Sequence, residues 1–204
     1  MGYFFLYCSY SLLSTFLSAG KKDHYRERRK ILPKLPHSRE ESVSQMFDCN
    51  VFTNESEQFS FADKDGNSIV FTCLTIIMWV LFPPGAIRPI APSRCKYLFF
   101  RMLSKAPTWL VDGTFNYAPA FFTQLYTIHV FINGFYLPLA FFCLPSNSED
   151  TYKRMFQFLE HLASENNVIL QPSCIMVDFE RAAINAAKVE FARAKIYCCR
   201  FHLA

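Results

Sequence analysis

Two runs, Gln124-Leu-Tyr-Thr-Ile-His-Val-Phe-Ile132 and Phe135-Tyr-Leu-Pro-Leu-Ala-Phe-Phe-Cys-Leu144, are joined by Asn133-Gly134, and their reading decides the fold class. Both are rich in β-branched and aromatic residues, which suit a pleated, half-buried surface. Asn-Gly tolerates the positive φ angles of a two-residue hairpin turn, so the stretch predicts an antiparallel hairpin. Pro138 has no N–H to give a ladder, which predicts an edge strand or a bulge there. Upstream, Thr108-Trp-Leu-Val-Asp-Gly-Thr-Phe115 reads as a short strand ending in a turn at Gly113. Downstream, Ser146-x-x-Glu149 has the spacing of a capping box. Tyr152, Met155, Phe156, Leu159, Leu162 and Ala163 then recur at intervals of three and four, the mark of a helix with one apolar stripe, ending near Asn166-Asn167. Cys174-Ile-Met-Val-Asp178 reads as a strand, Glu180 to about Phe191 as an Ala-rich helix, and Ala194 to Cys198 as a last strand. The order β-β-β-α-β-α-β implies an α/β fold, a mixed sheet with helices packed on it. In that order the first and fourth strands can lie side by side.

Composition narrows the function classes. Of 204 residues, 51% are hydrophobic and 19% charged, which excludes a disordered chain. The net charge of +4 is unevenly spread: Lys21 to Glu40 holds eight Lys/Arg against three acids, leaving the remainder nearly neutral. Arg26-Glu27-Arg28-Arg29-Lys30 suits nuclear import or phosphate contact, and equally a solvated linker. The eight cysteines are scattered singly, several inside apolar runs (Cys73, Cys143, Cys174), where a thiol behaves as a small buried hydrophobe. That pattern argues against a disulfide scaffold and for a reducing compartment.

Two apolar stretches bear on targeting. Residues 1–20 carry no charged side chain, and Tyr3 to Ala19 resembles the apolar region of a signal peptide. No Lys or Arg precedes it, however, and it is studded with Tyr, Ser and Thr. Ile69 to Phe82 is 14 residues long, short of the ~20 that span a bilayer, and Pro83-Pro84-Gly85 stops it. Membrane association is therefore not expected. Residues 72–97 hold four prolines (Pro83, Pro84, Pro89, Pro92) and no clear period, so no element is assigned to them.

Two constellations carry chemistry. Asp112 and Asp178 each follow an apolar strand, Trp-Leu-Val in one case and Ile-Met-Val in the other. A carboxylate so placed needs a partner, a hydrogen bond or a metal ion. If the two strands are neighbours, both acids emerge together and suit Mg²⁺, a hard cation bound by one or two carboxylates plus phosphate and water. The bland reading is that each Asp merely caps the next turn or helix, with Asp178 as the N-cap of the helix after it. Cys199-x-x-His202, with Cys198 beside it, offers half of a Zn²⁺ site, or else two buried thiols and an incidental histidine.

Taken together, Trp109-Leu-Val-Asp-Gly-Thr-Phe115, Phe122-Thr-Gln-Leu-Tyr-Thr-Ile-His129, Leu137-Pro-Leu139, Asp178-Phe-Glu180 with Ala183 and Asn185-Ala186, and Cys199-Arg-Phe-His-Leu203 resemble the transposase domain of Mutator-like elements, the MULE domain. The likeness is specific over about 100–203 and looser around Leu32 to Glu40. It implies an RNase H-like (retroviral integrase-type) mixed sheet with flanking helices, incomplete at the C-terminus. It also implies an Asp-Asp-Glu triad in which Asp112 and Asp178 are the first two acids, catalytic residues and Mg²⁺ ligands alike. Cys199 and His202 match the family's C-x₂-H motif, structural or zinc-binding.

The implied activity is Mg²⁺-dependent cutting of DNA at element ends, then attack of the freed 3′-hydroxyl on target DNA. The implied partners are transposon ends and target DNA, with a homo-oligomer open, and the implied location is the nucleus. The third acid belongs well downstream of the C-x₂-H motif; Glu180 stands too close to Asp178 to replace it, and the sequence stops at Ala204. The expectation is thus a truncated and catalytically incomplete transposase domain. A domesticated DNA-binding or partner-binding protein without nuclease activity is the alternative. The expected organisation is an apolar segment over 1–20, a basic and polar linker over 21–68, a Pro-rich apolar insertion over 69–99 and a partial catalytic domain over 100–204.

Overall fold

The computed structural model describes residues 34–49, 58, 60–72, 92–132 and 134–199. The N-terminal apolar segment, most of the basic segment, residues 73–91 and His202 lie outside the described residues.

Seven strands form one mixed sheet: β1 (Ser60–Asp63), β2 (Ser68–Thr72), β3 (Thr108–Thr114), β4 (Gln124–Ile132), β5 (Phe135–Leu144), β6 (Cys174–Val177) and β7 (Lys195–Cys198). Their spatial order is β1-β2-β5-β4-β3-β6-β7. Four helices are described: α1 (Arg39–Cys49), α2 (Pro92–Lys105), α3 (Glu149–Glu165) and α4 (Arg181–Glu190). The expected α/β class, hairpin and strand-helix order are all present.

The β4–β5 hairpin forms, with Gly134 at φ 83° and Ile132 opposite Phe135. Pro138 sits at a bulge: Ile128 faces Ala140, but His129 faces Pro138, so Leu139 is the extra residue. The strand is nevertheless interior, lying between β2 and β4.

Alternation sorts the strands into two faces. Trp109, Val111, Tyr126, Ile128, Val130, Ile175 and Val177 are buried in one core with Phe99, Phe100 and Leu103 of α2 and the inner faces of α3 and α4. Every residue of the predicted stripe on α3 is buried. Its start differs from expectation. Ser148 is the N-cap, accepting from the Thr151 N–H, and the Ser146 hydroxyl bonds the hydroxyls of Ser148 and Thr151 instead. The expected borders at 69 and 99 fall inside β2 and α2, both of which contribute to the sheet or its core.

The other face is covered at one end by α1, where Val43 packs with Ile69 and Cys143. Burial pushes the Cys143 thiol up to about 12, so it is inert as a nucleophile. Further along the same face Asp112, Phe131 and Tyr197 are exposed. None of the described helices is long and apolar enough to cross a membrane.

At the centre of the main core, Phe191 sets its ring edge-on to both Trp109 (5.2 Å) and Phe156 (5.3 Å), while Trp109 Nε1 donates to the Leu103 carbonyl at 3.0 Å. Three helices thus meet the sheet through one aromatic cluster. Phe191→Ala is expected to cost about 3–5 kcal/mol in urea unfolding. Val189→Ala, two residues away at a position 59% exposed, should change stability by less than ~0.5 kcal/mol.

Candidate functional site

β3 and β6 are parallel neighbours, with Thr108 opposite Cys174, Trp109 opposite Ile175 and Leu110 opposite Met176. Carried two residues further, this register sets Asp112 beside Asp178. Adjacent strands lie about 4.8 Å apart, and paired positions in parallel strands point to one face. Both acids therefore belong to the face opposite Trp109 and Val111, Asp112 exposed and Asp178 half-buried.

The strand carrying Asp112 runs further than its sequence suggested. β3 continues through Gly113↔Tyr126 and Thr114↔Leu125, so Gly113 makes no turn. It is glycine for another reason. A Cβ there would collide with the Gln124 side chain and come within 3.0 Å of the Tyr126 ring. Asp178 stands one residue past β6, and its Oδ1 accepts the Glu180 N–H at 3.2 Å. The N-cap of α4 is Glu180, not Asp178, and Glu180 makes no side-chain cap bond.

Beneath the pair, on the core side, lies a group of buried polar side chains. The Tyr152 hydroxyl is 2.6 Å from the Gln124 side-chain amide and 2.7 Å from Glu180 Oε2. Burial raises the Tyr152 hydroxyl far above the ordinary tyrosine range, and the hydrogen bond and charge of Glu180 add to this. Tyr126 packs its ring 5.1 Å from that of Tyr152 and is wholly buried, and its hydroxyl has no hydrogen-bond partner. Its pKa is also raised, first by burial, then by Tyr152, Asp178, Glu180 and Asp112. All three carboxylates thus act on one buried hydroxyl, which stays protonated.

His129 lies on the Asp112 face, opposite Leu110. Burial lowers its pKa, against an opposing pull from the Asp112 charge. Of the C-x₂-H motif, Cys198 is exposed and Cys199 half-buried, so the expectation of two buried thiols does not hold. Among the described residues no group of three or more His, Cys, Asp or Glu side chains is arranged to hold a metal ion.

The family model described as the MULE transposase domain matches residues 108–204. Over those residues the chain is similar to the MULE transposase domain. No curated protein and no solved structure matches the chain significantly. The matched region takes in β3 to β7, α3 and α4, while β1, β2, α1 and α2 lie upstream of it and extend or cover the same sheet.

The two aspartates singled out from the sequence lie on neighbouring parallel strands, Asp112 within β3 and Asp178 just past β6. Gln124, Tyr126 and Tyr152 were not singled out from the sequence as site residues. Their signal was a polar group on an inward position of an apolar pattern, a group that needs a partner once buried.

Two outcomes are expected for this region. Gly113→Ala must push the Gln124 amide out of place and is expected to destabilise by about 1–3 kcal/mol in urea unfolding. His129 has a native pKa below its unfolded value of 6.5, so the unfolded state binds the extra proton. Stability should be full above that value and decline as the pH falls through it. His129→Gln should flatten this part of a urea-midpoint profile recorded from pH 8 to 5.

Proposed function

We propose that residues 108–204 act on DNA as part of an RNase H-like, metal-dependent catalytic domain, ancestrally one that cuts element ends and joins the freed 3′-hydroxyl to target DNA. The observation that carries this reading is the parallel register bringing Asp112 alongside Asp178. The donors suit Mg²⁺: two hard carboxylates about one strand spacing apart, one of them exposed to an incoming phosphate. When bound there, the ion would offset charge on the phosphate oxygens and make the attacking hydroxyl a better nucleophile. Like charges directly opposite on adjacent strands otherwise repel, which gives the pair a reason to take a cation.

The surroundings support a DNA ligand. Phe115 and Tyr117 follow β3, and Phe179 follows Asp178; each is at least 48% exposed. Such rings offer π-faces to bases that leave the duplex at a cut site. The basic segment 21–40 supplies phosphate contacts in this reading, weakened by salt. Asp112 and Asp178 together are proposed to hold the ion against which DNA binds. A nuclear location goes with that substrate.

Melting with and without Mn²⁺ tests the pair directly. In EDTA, Asp112→Asn should be more stable than the parent by ~0.5–1 kcal/mol, because the repulsion is gone. Mn²⁺ should raise the melting temperature of the parent and not of the variant. An equal response of both proteins would sink the metal reading. DNA binding that ignores both Mn²⁺ and Asp112→Asn would favour a domain kept for binding without nuclease chemistry.

A further inference from the structure

We propose that Tyr152 is a positioning residue for the aspartate pair, acting through Glu180 on one side and Gln124 on the other. This rests on the reading that Asp112 and Asp178 hold a divalent cation.

Glu180 occupies the N-cap of α4, a place where Ser, Thr, Asp or Asn would bond the first turn. It makes no such bond. Its carboxylate turns to the Tyr152 hydroxyl, and its backbone N–H is the donor to Asp178 Oδ1. The residue that Tyr152 holds is therefore the residue that holds Asp178. On the other side, Tyr152 meets Gln124 of β4, whose amide lies over Gly113, the residue after Asp112. One hydroxyl thus bonds both the residue whose N–H holds Asp178 and the side chain packed against the residue after Asp112. That hydroxyl is itself fixed, since Tyr152 is fully buried in the core on α3.

The proton count sets the direction of the chain. A hydroxyl has one hydrogen and cannot donate to both neighbours. A carboxylate only accepts, so the Tyr152 proton goes to Glu180. The Gln124 amide must then present its N–H₂ to the Tyr152 oxygen. This orientation, a half-turn of the amide, also satisfies Gln124 Nε2, which otherwise has no acceptor. The chain reads Gln124 N–H to Tyr152 O–H to Glu180 carboxylate. In the core, where water cannot substitute, each missing link leaves a polar group unpaired.

The mechanism predicts what each substitution does. Tyr152→Phe keeps the ring and removes the link. Glu180→Ala removes it from the other end. Glu180→Gln keeps an oxygen that accepts from Tyr152, so it preserves positioning while removing the charge. Partners that orient metal ligands from behind are typically worth 10–100-fold in affinity.

The experiment has two arms on the full chain. In the first, Mn²⁺ affinity is read from the electron paramagnetic resonance of the free ion. Tyr152→Phe and Glu180→Ala should each weaken binding about tenfold, the double variant should be no weaker than either, and Glu180→Gln should stay within about threefold of the parent. In the second, hydrogen exchange is followed over 174–184 without metal. Exchange there should speed up in Tyr152→Phe and Glu180→Ala but not in Glu180→Gln. Unchanged exchange in Tyr152→Phe would overturn the proposal, as would a loss in Glu180→Gln equal to that in Glu180→Ala. If Asp112→Asn binds Mn²⁺ as the parent does, or the parent binds none, the metal reading fails. The exchange arm still decides whether Tyr152 holds the 178–180 turn.

Discussion

The parallel contact between β3 and β6 organises the rest of the molecule. Parallel strands cannot be joined by a tight turn, so the chain must leave the sheet plane and return. Here the connection first adds the β4–β5 hairpin to the same sheet and then leaves it through α3. The register of the contact is set by what it buries: Trp109, Val111, Ile175 and Val177 all face the helices. A slip of one residue would turn those side chains to the open face and bring their polar neighbours into the core. The packing that forbids the slip also brings two like charges side by side at Asp112 and Asp178. Core and candidate site are in this sense one constraint, satisfied on opposite faces of the same two strands.

The core beneath the acids is not wholly apolar. Gln124, Tyr126 and Tyr152 are buried where aliphatic side chains would pack without needing partners. A buried polar group is destabilising unless bonded, and Tyr126 carries that cost outright. Polar groups concentrated behind two paired carboxylates make sense as a device for orientation rather than stability. Gly113 belongs to this device. It gives up a side chain in mid-strand, and the Gln124 amide occupies the space.

What could be read in advance was local. The Asn-Gly hairpin, the stripe of α3, the Ala-rich α4 and the short strands 174–177 and 195–198 all have signals within a dozen residues, and all formed. Where a local signal was ambiguous, its tertiary setting decided. Gly113 looked like a turn because glycine usually is one, but its strand continues because β4 pairs with it through Leu125. Ser146 had the spacing of a cap, yet Ser148 is the residue whose hydroxyl meets a free N–H. Pro138 could mean an edge or a bulge, and the structure has a bulge in an interior strand. The addition of β1 and β2 to the far side of the sheet had no local signal, because strand partners distant in sequence leave no periodicity.

The residues alone determined an α/β chain with two aspartates, each following an apolar strand, since alternation and helical spacing are properties of neighbours along the backbone. Only the tertiary structure decided that the strands leading to these aspartates are parallel neighbours, and that Tyr152 reaches both Gln124 and Glu180. The physical reason is distance along the chain. Asp112 and Asp178 meet across a crossover, and Tyr152 meets partners 28 residues away on either side. Such meetings are set by which faces the core can bury together.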